Sequence, residues 1–153
     1  MHSVRKVTDD ILLLGGSDRR LALFENVYPI PRGVSYNAYL LLDEKTVLLD
    51  TADSAVGAHF YENLEHALQG RPLDYVIVNH MEPDHCSTLG AVLRTYPEAQ
   101  VVASAKAISM IGQFFDADVT GRCGKVRVCR PVERVSPSFT VTQRPVTTAS
   151  KNG

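Results

Sequence analysis

The segment that decides the fold of this chain reads Asn79-His80-Met81-Glu82-Pro83-Asp84-His85. It follows an apolar run, Tyr75-Val76-Ile77-Val78, whose length and composition are typical of a buried strand. Two imidazoles and two carboxylates at the end of such a strand are hard to explain by packing, because charged side chains are seldom buried without partners. These side chains can hold a cation that accepts nitrogen and oxygen ligands, and residues 79–85 are called the metal loop below.

The spacing within the metal loop predicts how its side chains are arranged. His80 and Glu82 are two residues apart, so on extended backbone they point to the same side. Pro83 disfavours helical angles at Glu82 and so favours that extension. Asp84 and His85 follow the bend and can face the same point from another direction. We therefore predict four metal ligands, His80, Glu82, Asp84 and His85, although a solvated acidic turn with two incidental histidines is an alternative.

The donor types indicate which metals are favoured. Neutral imidazole suits zinc, copper, iron and nickel, whereas carboxylates shift the preference toward harder ions. Two carboxylates beside two imidazoles therefore favour iron or manganese over zinc.

The rest of the sequence up to about residue 120 alternates between strand and helix patterns. The predicted strands are 11–16 with 21–24 as its hairpin partner, 35–42, 46–50, 75–79 and 100–103. The predicted helices run from the cap at Asp53-Ser54 to about Gln69, from 87 to 95, and from the cap at Ser104 to 115. This order predicts an α+β fold, a mixed sheet with flanking helices. Ligands in open sheets of this kind bind beyond the carboxyl ends of strands, which is where the metal loop lies.

Asp50 ends a second apolar strand and has two interpretations. It can orient a ligating imidazole from behind, as outer partners of metal sites do. It can also be a cap or turn aspartate before the following helix.

Residues from about 4 to 120 resemble the N-terminal, metallo-β-lactamase-like domain of flavodiiron proteins (A-type flavoproteins, including flavorubredoxin). The resemblance rests on residues 27–40, on residues 70–75, and on the metal loop. The wider superfamily carries a His-x-His-x-Asp-His loop that usually binds zinc, and the flavodiiron branch has glutamate at the middle histidine, as Glu82 does here. The resemblance implies a partial metallo-β-lactamase-like fold of the αβ/βα sandwich type.

The resemblance also implies a function. Flavodiiron proteins are oxidoreductases that reduce nitric oxide and/or dioxygen at a non-haem di-iron centre, with electrons from FMN in a flavodoxin-like domain. By position, His80 and Glu82 match ligands of one iron, and Asp84 matches a ligand of the second. His85 matches a position that ligates the second iron in some members and stands off from it in others. The implied partners are an electron donor such as rubredoxin or a reductase, and a second copy or a complementing chain.

The sequence departs from the family pattern beyond the metal loop. The family's further histidine, bridging aspartate and last histidine lie downstream, but here no histidine follows His85 and no aspartate follows Asp118. No flavodoxin-like segment follows either. We therefore expect half of a di-iron site and an inactive chain on its own. The alternatives are a metallo-hydrolase of the same superfamily, which Glu82 argues against, and a non-catalytic metal-binding remnant.

The three cysteines, Cys86, Cys123 and Cys129, form no even disulfide framework, which favours a reduced, cytoplasmic setting. The N-terminus lacks the apolar core of a secretory signal, and no apolar run approaches membrane-spanning length. Cys86 stands where the family usually has serine or another small residue. We expect it to cap the helix or to pack as a small hydrophobe, with a thiolate metal ligand as the alternative.

Charge changes abruptly near Thr120-Gly121. Residues 1–120 hold nine Lys and Arg against sixteen Asp and Glu, whereas residues 121–153 hold seven against one. The second segment also has no Leu, Ile, Met or Tyr. We expect residues 121–153 to be a basic polar tail produced by a shifted reading frame or a truncated gene, with a disordered tail as one alternative. A nucleic-acid-binding arm is the other, and the lack of interleaved aromatics ranks it last.

Overall fold

The computed structural model describes residues 2–24 and 26–115 of the chain. In this part, ten strands and four helices are connected by short loops. The strands are β1 (Arg5–Lys6), β2 (Ile11–Leu13), β3 (Gly16–Asp18), β4 (Leu23–Phe24), β5 (Tyr28–Pro29), β6 (Val34–Tyr36), β7 (Tyr39–Leu42), β8 (Thr46–Leu49), β9 (Tyr75–Val78) and β10 (Gln100–Ala103). The helices are α1 (Gly57–Leu68), α2 (Pro83–Cys86), α3 (Leu89–Thr95) and α4 (Ala105–Phe114), and a 3₁₀ turn at Ser54–Val56 leads into α1.

Six of the strands form one mixed sheet in the order β1-β2-β7-β8-β9-β10. The pairings from β1 to β8 are antiparallel, whereas β8 with β9 and β9 with β10 are parallel. Two small antiparallel pairs, β3 with β6 and β4 with β5, lie outside this sheet. The structure therefore confirms the predicted α+β fold with a mixed sheet and flanking helices.

One face of the sheet carries the hydrophobic core. A row of fully buried side chains crosses four strands in register, namely Leu40, Leu48, Val76 and Val101. Helices α1 and α3 contribute buried apolar residues to the same cluster. Burying one such side chain contributes about 1.5–3 kcal/mol, so this row and its helical cover account for much of the stability of the sheet. The next row, which includes Leu49 and Ile77, is only half-buried and is not part of this cluster.

Helix α1 begins and ends as its sequence predicts. The Asp53 carboxylate accepts a hydrogen bond from the backbone N–H of Ala55 at 2.7 Å, which caps the preceding 3₁₀ turn. At the other end Gln69 adopts a left-handed conformation (φ 50°) and Gly70 follows with φ 83°. Glycine has no side chain to oppose that angle, which explains why the helix stops here.

Two predicted strands are each divided in the structure. The predicted strand 11–16 is two strands, because the chain leaves the large sheet after Leu14 and β3 pairs with β6 instead of continuing β2. A side chain at Gly15 would lie 1.8 Å from the Tyr36 carbonyl oxygen, so only glycine allows this close crossing. The same crossing divides the predicted strand 35–42 into β6 and β7.

The hairpin predicted between 11–16 and 21–24 is wrong. Residues 23–24 pair instead with Tyr28–Pro29. Proline has no backbone N–H to donate, but it is tolerated here because each strand of a two-stranded pair is an edge strand. The helix predicted from 87 begins at Leu89, because residues 83–86 already form a separate helical turn, α2.

In the part of the chain that the structure describes, the helices are too short and too polar to cross a membrane. The predicted boundary near residue 120 and the basic segment 121–153 lie outside the described residues.

A pair of phenylalanines tests where the core lies. Phe60 on α1 is fully buried, whereas Phe114 at the end of α4 is 68% exposed. We expect Phe60→Ala to lower the free energy of unfolding by about 3–5 kcal/mol, because it removes a buried ring and leaves a cavity. We expect Phe114→Ala to change it by about 0.5 kcal/mol or less. Urea denaturation of both variants checks this, and equal losses would contradict the assigned core face.

Candidate metal centre

The metal loop lies where two parallel strands end side by side. Leu49 at the end of β8 is in register with Ile77, next to the end of β9. Glu82 has extended backbone angles (φ −67°, ψ 144°), and Pro83 then begins the short helix α2. Proline suits the first turn of a helix, since its fixed φ is helical and its missing N–H has no helical acceptor there. His80 and Glu82 therefore precede the bend, and Asp84 and His85 lie within it.

The structure brings the four predicted ligands together. The imidazole rings of His80 and His85 lie with their centroids 4.5 Å apart. His80 Nδ1 is 3.9 Å from Glu82 Oε2, and His85 Nε2 is 3.4 Å from Asp84 Oδ2. The side chains form one polar cluster at the mouth of the sheet.

The two halves of this cluster differ in burial. The side chains of His80 and Glu82 are 44% and 61% exposed, whereas those of Asp84 and His85 are 19% and 27% exposed. Among residues 2–24 and 26–115, no three His, Cys, Asp or Glu side chains are arranged to hold a metal ion. The cluster therefore gathers suitable donors in one place without the geometry of a formed metal site.

His85 shows how the residues present fit a bound metal. Its Nδ1 atom is buried and has no hydrogen-bond partner in the described part of the chain. Asp50 Oδ2 lies 3.5 Å from Nδ1, beyond good hydrogen-bond distance, on the opposite side of the ring from Asp84. A buried polar atom without a partner costs about 1–3 kcal/mol. Binding a metal through Nε2 would orient Nδ1–H toward the Asp50 carboxylate, as outer partners of ligating histidines require.

Asp50 joins the ends of β8 and β9. Its two carboxylate oxygens accept hydrogen bonds from the backbone N–H and the side-chain amide of Asn79, at 2.7 and 2.9 Å. Its backbone has a positive φ of 57°, which aspartate tolerates better than most residues. The helix cap is Asp53, so the interpretation of Asp50 as a cap is wrong. Its role in orienting His85 stays a prediction.

The electrostatic field around the loop is negative. Burial raises the pKa of the Tyr36 phenol, and the carboxylates of Asp53, Asp18 and Asp84 raise it further. Burial likewise raises the pKa of the Cys86 thiol to about 11, with further contributions from Asp84 and Asp50. Since a negative field stabilises a cation, the same charges that keep these groups protonated favour a metal ion.

Cys86 packs as a small buried residue. It is 5% exposed, and its thiol donates a hydrogen bond to the Met81 carbonyl at 3.0 Å. The raised pKa disfavours a thiolate, so the geometry supports the packing interpretation over the thiolate ligand.

Sequence reasoning missed three residues that hold the loop in place: Asn79, Thr51 and Thr88. Their signal is weak, because a hydroxyl or amide after a strand is also common in ordinary turns. Only the fold shows their hydrogen-bond partners, which lie 29 to 36 positions away in the sequence.

Comparisons with known proteins agree with this fold. A family model described as the metallo-beta-lactamase superfamily matches residues 31–122. The chain is 35% identical over 99 residues to a flavo-diiron protein from Clostridium acetobutylicum, which covers 65% of this chain and 25% of that protein. It is 36% identical over 106 residues to an anaerobic nitric oxide reductase flavorubredoxin from Klebsiella pneumoniae, covering 69% of this chain and 22% of that protein.

A solved structure agrees with these relatives. The structure of rubredoxin oxygen:oxidoreductase from Desulfovibrio gigas is similar with a TM-score of 0.67 and 27% identity, covering 73% of this chain and 28% of that one. The chain spans about a quarter of the length of the curated relatives it matches.

The state of Cys86 can be checked by alkylation of the metal-free protein. In a chain carrying Cys123→Ser and Cys129→Ser, we expect iodoacetamide at pH 8 to react with Cys86 about a hundredfold more slowly than with an unstructured cysteine. The reason is that a pKa of about 11 leaves very little thiolate at that pH. Mass spectrometry follows the modification, and the same chain in urea is the control. Equal rates with and without urea would contradict the buried, protonated thiol.

Proposed function

This chain belongs to the metallo-β-lactamase superfamily, and from that premise we propose that its metal loop supplies ligands to a non-haem di-iron centre that reduces nitric oxide or dioxygen. The observation that carries the proposal is the cluster of His80, Glu82, Asp84 and His85 at the carboxyl ends of two parallel strands. Relatives named flavo-diiron protein and nitric oxide reductase flavorubredoxin support iron and nitric oxide. A structural neighbour named rubredoxin oxygen:oxidoreductase supports dioxygen as the other substrate.

The two halves of the cluster have separate roles in this proposal. His80 and Glu82 hold one iron, and Asp84 and His85 hold the second. Glu82, in place of a third imidazole, makes the set harder and so favours iron over zinc. Bound iron supplies the redox chemistry, passing electrons to a diatomic substrate. The chain's own residues orient the ligands: Asp50 accepts the Nδ1 proton of His85 and fixes the nitrogen that faces the metal.

The remaining parts of the centre come from protein outside the described residues. The four ligands of one loop are fewer than two iron ions need, so further sequence or a second chain supplies the others. A second copy of this chain and a complementing chain are both partners of this kind. Electrons reach the irons from FMN in a flavodoxin-like domain and from a donor such as rubredoxin. The chain without these parts binds iron but does not turn over.

Titration of the full chain with Fe²⁺ under anaerobic conditions tests the ligand assignment. We expect saturable binding, measured by competition with a chromophoric chelator. His80→Ala and His85→Ala should weaken it by more than the roughly 10- to 100-fold that loss of an outer partner costs, because each removes a ligand. His66→Ala is the matched control, since His66 is an exposed histidine on α1 that stacks on His2. Wild-type binding no tighter than that of His80→Ala would contradict the proposal.

The same samples test the substrate. An electrode that measures dissolved nitric oxide should record stoichiometric uptake without turnover, in proportion to the iron bound by the wild-type chain. This uptake should fall with the iron content of the two ligand variants. Iron-loaded chain that withdraws no nitric oxide and no dioxygen would contradict the reductase assignment while leaving the metal site intact.

A further inference from the structure

The loop that follows β8 runs alongside the metal loop and is joined to it at several places. We call residues 50–54 the template loop. Asp50 accepts hydrogen bonds from Asn79 at the start of the metal loop, and Thr51 donates hydrogen bonds to His85 at its end. Ala52 bonds Thr88 just beyond, so successive residues of one segment hold successive parts of the other.

Thr51 makes the central contact of this set. Its backbone N–H donates to the His85 carbonyl oxygen at 2.9 Å, and its hydroxyl donates to the same oxygen at 2.8 Å. A carbonyl oxygen has two lone pairs, so both donors can be accommodated and together fix the direction of the carbonyl. Thr51 is 1% exposed, which protects both bonds from competing water.

The peptide groups on both sides of the His85 Cα atom are fixed by hydrogen bonds. The His85 backbone N–H donates to the Glu82 carbonyl at 2.9 Å within the helical turn. Thr88 extends the support, because its hydroxyl donates to the Ala52 carbonyl at 2.8 Å and accepts from the Ala52 N–H at 3.1 Å. With its backbone fixed on both sides, His85 can place its ring in only a few rotamers.

The other half of the site has less support. His80 and Glu82 contact each other only at 3.9 Å, and both side chains are more exposed than those of Asp84 and His85. The loop therefore has one mostly buried pair of candidate ligands and one more exposed pair. Pre-organised ligands bind a metal with a smaller loss of freedom than ligands that must be ordered first.

We propose that Thr51 is a positioning residue for the metal site: its hydroxyl and amide hold the His85 carbonyl so that the imidazole is set for metal binding before the metal arrives. This inference rests on the proposed function, because it takes His85 to be a ligand. Thr51 acts through His85 and does not touch the metal.

Three variants of the full chain separate positioning from general stability. Thr51→Val keeps the shape and the backbone bond but removes the hydroxyl donor, and Thr51→Ser keeps the hydroxyl. Thr46→Val is the matched control, because Thr46 is another threonine that is 1% exposed, at the opposite end of β8. The probe is Co²⁺ alone, whose visible absorption reports the number and symmetry of its ligands.

We expect Thr51→Val to weaken Co²⁺ binding by about tenfold, in the range seen when an outer partner of a ligand is lost. Thr51→Ser should restore binding to within about threefold of wild type, since it restores the same donor. Thr46→Val should bind as wild type does. Thr51→Val that folds and binds Co²⁺ as tightly as the wild-type chain would overturn the proposal.

A second readout needs no metal. Long-range ¹H–¹⁵N spectra of the metal-free chain report each imidazole separately. We expect one sharp set of ring signals for His85 in wild type and in Thr51→Ser, shifted or broadened signals in Thr51→Val, and no change at His66. Unchanged His85 signals in Thr51→Val would overturn the positioning role.

The two readouts also separate this inference from the proposed function. If wild type binds no Co²⁺ or Fe²⁺, the proposed metal site fails, and the imidazole spectra still decide whether Thr51 sets His85. If wild type binds metal, and Thr51→Val changes neither the Co²⁺ affinity nor the His85 ring signals, the metal site stands and the positioning role fails.

Discussion

The parallel pairing of β8 with β9 is the constraint on which the rest of the structure depends. Leu48 pairs with Val76 and Leu49 with Ile77, so the two strands end at the same edge of the sheet. Every polar residue of the candidate site follows one of these two ends. Because Leu48 and Val76 are also fully buried in the core row, the packing that stabilises the sheet fixes the position of the site.

The site combines buried, hydrogen-bonded residues with more exposed side chains on the solvent side. Asp50 and Thr51 hold the metal loop, and Thr88 holds Ala52, through hydrogen bonds that are largely shielded from water. Within residues 2–24 and 26–115, the side chains of His80 and Glu82 on the solvent side make no such hydrogen bond. Under the proposed function, a centre that admits a diatomic substrate and completes its ligand set from other parts of the protein would benefit from this division. Fixed ligands lower the cost of metal binding, and adjustable ones accept a changing coordination sphere.

Much of this could be predicted from sequence, and the failures have physical causes. The strand at 75–78, the capped helix α1 and the cluster of four ligands follow from local patterns, namely an apolar run, the Asp53 cap and the extension that Pro83 imposes on Glu82. The pairing of residues 23–24 with residues 28–29 is local, but Pro29 conceals it because proline lacks a ladder donor. The break at Gly15 could not be predicted, because it depends on a contact between distant segments, the crossing of Gly15 over Tyr36. The bonds of Thr51 to His85 belong to the same class, since the two residues are 34 positions apart. Local patterns identified the residues of the candidate site, and the fold was needed to show what holds them in place.

The central claim is that the imidazoles of the metal loop bind iron directly, and X-ray absorption at the iron edge of the Fe²⁺-loaded chain tests it most directly. The account predicts a first shell of nitrogen and oxygen, with the outer-shell scattering typical of imidazole that decreases in His80→Ala and in His85→Ala. A first shell without imidazole scattering, or one that contains sulfur from Cys86, would contradict it.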